Sequence, residues 1–165
     1  MSNADNEIIV TNVVVACYFC PFAAREIKRG SIHYEVINDA NSKTVLDATL
    51  KMFLLLNNNE QIETSILILP DHFSEFNDYL DLVEKAETLL TKNNYEGIYQ
   101  IASFHPKYMF AGSDENDPSN YTNRSPYPML HFLREESVTK AIAGYTDIEN
   151  VPKRNIAFTK EKGLA

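Results

Sequence analysis

The stretch NYTNRSPYPMLHFLRE, residues 120–135, gathers side chains suited to gripping a small molecule. Arg124 carries a planar fork that can hold a carboxylate or phosphate through two parallel hydrogen bonds. Asn123 beside it supplies both a donor and an acceptor, and Tyr127 adds a rigid ring with a polar tip. His105, earlier in the chain at the start of HPKY, is the candidate for proton transfer, because an imidazole changes charge near neutral pH. His72 and Tyr108 lie just beyond two apolar runs and complete the ligand-facing set. The chemistry these residues suggest is acid–base work on a small anionic metabolite, with Asn123 and Arg124 holding the anion and His105 moving the proton. It requires His105 and Arg124 to converge on one hollow.

Two other readings use the same residues. In the first, Tyr108, Phe110, Tyr121 and Tyr127 are aromatic anchors of a non-catalytic interaction surface. In the second, the loop lids the core and Arg124 pairs with Asp114, Asp117 or another carboxylate. His131, between Leu130 and Phe132, reads as a hydrogen-bonded core histidine.

The only cysteines are Cys17 and Cys20, in ACYFCPFAAREIKRG. An apolar run, then C-x-x-C-P, then a helix is similar to a thioredoxin-like thiol site, in which the helix start stabilises a thiolate. In the register CPFA, Cys20 is a candidate monothiol nucleophile, with Ala23 where a second thiol would stand. Cys17 reads as a small core residue. Cys17, Cys20, His105 and His131 reach the ligand count of a zinc site but only half its usual spacing, and Asp114 with Asp117 reads as a solvated turn. No phosphate-binding glycine loop, nucleophile elbow or H-E-x-x-H occurs, and no metal or cofactor is assigned.

Alternating Ile32, Tyr34 and Val36 predict a strand over 31–37 with one buried face. Val45, Thr49, Met52, Phe53 and Leu56 predict a helix opened by NDANS. TSILIL, 64–69, reads as a strand covered on both faces. A second helix is expected from an Asp71 cap to about Lys92, with Phe73, Phe76, Leu80, Val83 and Leu90 inward. Strands follow at 97–104 and 129–134, then a helix from Glu135, and a last short helix or strap near Pro152. Residues 7–19 are β-branched and apolar, and periodicity leaves helix and strand both open there.

This order predicts one α/β (α+β) domain over 1–165: a two-layer or three-layer sandwich on a mixed four-stranded sheet with βαβ crossovers. The alternative is an antiparallel ferredoxin-like plan. If the first three strands run parallel, their carboxyl ends share the edge where open α/β folds bind ligands. The connection 105–128 leaves that edge and is far longer than usual, a length that goes with function. Pro118, Pro126 and Pro128 restrict its backbone and lower the entropy lost in ordering it.

With 165 residues and 44% hydrophobic content, the chain can bury a core unaided. A net charge of −8 argues against nucleic-acid and anionic-membrane partners. No stretch reaches the roughly 18 apolar residues of a membrane span, the acidic start lacks a secretory signal, and two cysteines fit a reducing compartment. A cytoplasmic protein is expected; its oligomeric state is not legible.

The blocks CPFA at 20–23, FHPKYMFAG at 104–112 and NRSPYPMLHFLRE at 123–135 resemble, in this order, a bacterial family of unknown function, over about residues 7–163. The resemblance implies no activity, cofactor or site residue. It favours a helix over 7–18, although the tryptophan usual there in the family is missing.

Overall fold

The computed structural model describes residues 23–143, together with Lys153, Ala157 and Glu161, which are helical and exposed. The 7–19 stretch, Cys17 and Cys20 lie outside the described residues, as does the rest of the expected tail element.

The described chain opens with helix α1 (Ala23–Arg29), which Gly30 closes in the left-handed region at φ 63°. Strand β1 (Ile32–Val36) follows, then α2 (Ser42–Asn58). Asn41 caps α2 in a reciprocal box: its Oδ1 accepts from the Thr44 amide at 3.1 Å, and Thr44 Oγ1 accepts from the Asn41 amide at 2.9 Å. The five residues expected to face inward on α2 are all buried. β2 (Thr64–Ile68) is buried along its whole length, as a central strand covered on both faces must be.

Helix α3 (Phe76–Lys92) starts later than the sequence suggests, with Glu75 rather than Asp71 at its cap position. Residues 70–74 form a turn instead, in which Phe73 is held at φ 61°. The inward stripe is Tyr79, Leu82, Val83, Ala86 and Leu90, while Leu80 is exposed. Tyr79 takes the inward place, where its hydroxyl bonds the Met129 carbonyl and the Phe104 amide.

β3 (Tyr99–Phe104), a 3₁₀ turn (Pro118–Thr122), β4 (Met129–Arg134) and α4 (Glu135–Ala143) complete the order. The sheet runs β1-β2-β4-β3. β1 pairs parallel with β2, and β4 lies antiparallel between β2 and β3. The parallel pair sets the sheet apart from the antiparallel ferredoxin-like alternative. Because β4 opposes both neighbours, β1, β2 and β3 point the same way and share a carboxyl edge.

Helices α2 and α3 cover one face. Phe53 sits at the centre of that core, edge-on to Phe132 at 5.4 Å and stacked on Tyr99 at 5.7 Å. The other face carries Ile32, Val36, Ile66, Ile68 and Met129, joined by Ile27 of α1. α4 flanks it too, since Val138 and Ala141 line a cavity there with Ile66 and Met129. Arg134 ties the layers at the opposite edge. Its Nη2 donates to the carbonyls of Leu56 (2.6 Å), Ile62 (3.0 Å) and Asn59 (3.2 Å). α2 has no basic residue in its last turn, so a charge from β4 satisfies its terminal carbonyls.

Candidate functional site

The shared carboxyl edge is where residues 105–128 leave the sheet. Their two ends are closed on each other: the His105 amide donates to the Asn123 carbonyl at 3.2 Å, and Asn123 Nδ2 donates to the Ser103 carbonyl at 3.1 Å. Tyr79 of α3 anchors the same corner. Its hydroxyl donates to the Met129 carbonyl at 2.6 Å and accepts the Phe104 amide at 3.1 Å, so one buried group serves both β4 and β3. Burial pushes the Tyr79 phenol up, well beyond the ordinary range for tyrosine.

His105 is fully buried under this corner, with its ring 4.9 Å from that of Tyr79 and 5.2 Å from that of Phe76. Nδ1 accepts the Lys107 amide at 3.0 Å, which makes Nε2 the protonated nitrogen, and Nε2 donates to the Phe73 carbonyl at 2.8 Å. Burial lowers the His105 pKa from its ordinary value; the Phe73 carbonyl opposes that shift and Lys107 adds to it. Both ring nitrogens are thus spent on backbone groups.

Arg124 is engaged in the same manner. Its Nη2 donates to the Glu115 carbonyl at 2.7 Å and its Nε to the Tyr108 carbonyl at 3.2 Å, while the guanidinium lies 4.4 Å from the centre of the Tyr121 ring. His105 and Arg124 therefore meet through Tyr108, whose amide donates to the His105 carbonyl at 3.0 Å. The fork holds two carbonyls of its own loop rather than a carboxylate.

The remaining candidates are dispersed. The Tyr108 ring is half-buried between Phe76 (5.5 Å) and Phe110 (5.1 Å). Tyr127 packs on the other face of the sheet, against Ile66, Ile68 and Met129. His72 is exposed in the turn before α3, and Cys20 lies outside the described residues. Among the described residues, no group of three or more His, Cys, Asp or Glu side chains is placed to hold a metal ion, and no helix is long and apolar enough to cross a membrane.

Two features were not anticipated: the buried Asn120, and Thr64 as the partner of the expected core histidine, His131. Asn120, fully buried, is the hub of the loop: its Oδ1 accepts from the Phe110 amide (2.9 Å) and Ser113 Oγ (2.8 Å), and its Nδ2 donates to the Asp114 carbonyl at 2.8 Å. A buried hub and a surface-turn asparagine look alike in sequence; the only sign was Pro118 just ahead. The second feature lies on the far face. Thr64 Oγ1 donates to the Phe132 carbonyl at 2.6 Å, so it can only accept from His131 Nε2, also at 2.6 Å. Burial drives the His131 pKa down to about 4.

What this edge offers is a closed, internally hydrogen-bonded loop that displays its tip. Met109 and Phe110 are 40% and 38% exposed there. Asp114 and Glu115 are exposed close by in the chain. Lys107 pairs with Glu75 at 2.8 Å, and that bond holds the Glu75 carboxyl below its ordinary value.

Comparison with known proteins adds a family and no activity. No curated protein and no solved structure matches the chain significantly. A family model described as a protein of unknown function (DUF1415) matches residues 3–165, nearly the entire sequence, and the chain belongs to that family.

Proposed function

We propose that the protein is a non-catalytic binding protein whose 105–128 loop docks a partner protein through Met109 and Phe110. The observation that carries this reading is the contrast within the loop. Its polar side chains, His105, Asn120, Asn123 and Arg124, are spent on backbone groups of the loop, of β3 and of the turn before α3, whereas its two adjacent large apolar side chains are turned out. A chain of ring contacts from Phe76 through Tyr108 to Phe110 holds the tip against α3, so little freedom is left to lose on association. Leu54, Leu80, Ile98 and Ile142 are also exposed, but they are scattered over separate elements, as on most surfaces.

Charge selects the kind of partner. Asp114 and Glu115 flank the apolar tip on a chain of net charge −8. The complementary surface is an apolar cleft rimmed by lysine or arginine. Methionine and phenylalanine suit such a cleft, because both fill irregular apolar space.

Selection of random displayed peptides on the full chain tests this. Peptides that pair aliphatic or aromatic residues with Lys or Arg should be enriched, and Met109→Asp or Phe110→Asp should weaken them at least tenfold while the fold is kept. A selected pool indifferent to both substitutions removes the proposal.

A further inference from the structure

The second face of the sheet, away from the loop tip, holds a cavity of about 240 Å³. Strand register makes it. Ile66 of β2, His131 of β4 and Ala102 of β3 pair side by side as one rung across the sheet, and all three line the space. Residues two apart on a strand share a face, so Phe104 and Met129 bound the cavity towards the carboxyl edge and Leu133 bounds it at the other end. Ala102 is the small residue among these large ones. Val138 of α4 adds further apolar wall.

One ring nitrogen in this rung has capacity to spare. Thr64 Oγ1 gives its hydrogen to the Phe132 carbonyl, so His131 Nε2 carries the ring proton and Nδ1 is an acceptor. Nδ1 accepts from no group among the described residues, and it is not sealed away from accessible space as Glu63 Oε1 is. Burial holds the imidazole neutral down to about pH 4, so this acceptor persists at neutral pH. Charges at the margin are committed elsewhere: Glu26 accepts from Arg25 and, at 2.7 Å, from Ser31 Oγ, while Arg134 serves the carbonyls ending α2. A cavity of roughly 150 Å³ takes benzene, and by proportion this one takes a molecule of about ten non-hydrogen atoms.

We propose that the cavity binds a small neutral alcohol, its hydroxyl donating to His131 Nδ1 and its hydrocarbon body lying against the β2–β4–β3 face. The chemistry sets an order of preference. A ketone of the same size and polarity brings an acceptor to an acceptor and leaves Nδ1 unsatisfied. An ammonium brings a donor, but apolar walls cannot repay the desolvation of its charge, and a carboxylate brings both faults. This site is separate from the loop, and it stands or falls independently of the docking surface.

Titration of the full chain with phenethyl alcohol, acetophenone, phenethylamine and phenylacetate, followed by backbone amide NMR, tests the proposal. Phenethyl alcohol should give saturable shifts centred on Ala102, His131 and Val138. Acetophenone should bind at least tenfold more weakly, and neither ion should saturate. His131→Leu should level the alcohol and the ketone, and Ala102→Leu should remove both by filling the space. The comparison of the four probes needs no variant, so a misfolded substitution does not spare the proposal. Absence of saturable binding, the result if another part of the chain fills the space, overturns it. So do equal affinity for alcohol and ketone, shifts centred elsewhere, or a His131→Leu variant that still prefers the alcohol.

Discussion

The imidazole of His105 donates to the carbonyl of Phe73, 32 positions earlier in the chain, across 2.8 Å. Phe73 sits at φ 61°, a conformation costly for a bulky side chain, and this hydrogen bond helps to hold it there. One contact thus fixes the turn before α3 to the root of the long loop. The histidine that looked most reactive in the sequence is a rivet between two irregular segments.

Replacing His105 by Leu should lower stability by about 2–4 kcal/mol, because it removes the bonds to the partly buried Phe73 carbonyl and Lys107 amide. His105→Asn can restore one of the two bonds and should recover part of that loss. Urea midpoints of the three chains give the order, and a Leu variant as stable as the parent would remove the rivet role.

Tyr79→Phe keeps the ring contacts but leaves the Met129 carbonyl and Phe104 amide unsatisfied. A loss of about 1–3 kcal/mol is expected. The amide of Phe104 should exchange with solvent faster than those at mid-strand.

His131 sets a pH dependence whose sign is fixed. Its folded pKa of about 4 lies below the ordinary value of 6.5, so between those limits the unfolded chain binds a proton that the native chain refuses. Stability is therefore unaffected above pH 6.5 and falls as the pH drops towards 4. The shift of about 2.5 pH units corresponds to about 3 kcal/mol. His131→Leu leaves the Thr64-to-Phe132 bond in place and should flatten this window, which denaturation curves at pH 7, 5.5 and 4 would reveal as converging stabilities.

Asn120→Ala should loosen the loop tip more than the sheet. It removes the acceptor of the Phe110 amide and the donor to Asp114, and the amides of residues 110–120 should lose protection by tenfold or more while those of β2 keep theirs. Uniform loss across the molecule would mean that Asn120 supports the global fold instead.

Elements whose burial pattern is simple were legible in the sequence. The inward stripe of α2 and the unbroken apolar run of β2 each record one physical fact, a face turned from water, whereas the alternation of Ile32, Tyr34 and Val36 marked the strand but not a buried face, since all five residues of β1 are half-buried. α3 was harder because Tyr79, an amphipathic residue, takes the inward place that hydropathy gives to Leu80. The insertion of β4 between β2 and β3 depends on where a 24-residue connection returns, which no local pattern encodes. At the candidate site, residue type named the polar side chains but not their partners. His105, Asn123 and Arg124 look the same in sequence whether they face a ligand or nearby backbone, and here backbone carbonyls of the loop, of β3 and of the turn before α3 engage them.

The central claim is that His105 holds the loop in shape rather than moving protons. Long-range correlation of its two ring nitrogens by NMR between pH 8 and pH 6 tests this most directly. A single tautomer protonated at Nε2, with any titration midpoint below 6.5, is the predicted result; a ring that titrates at or above 6.5, or that exchanges between tautomers, would contradict it.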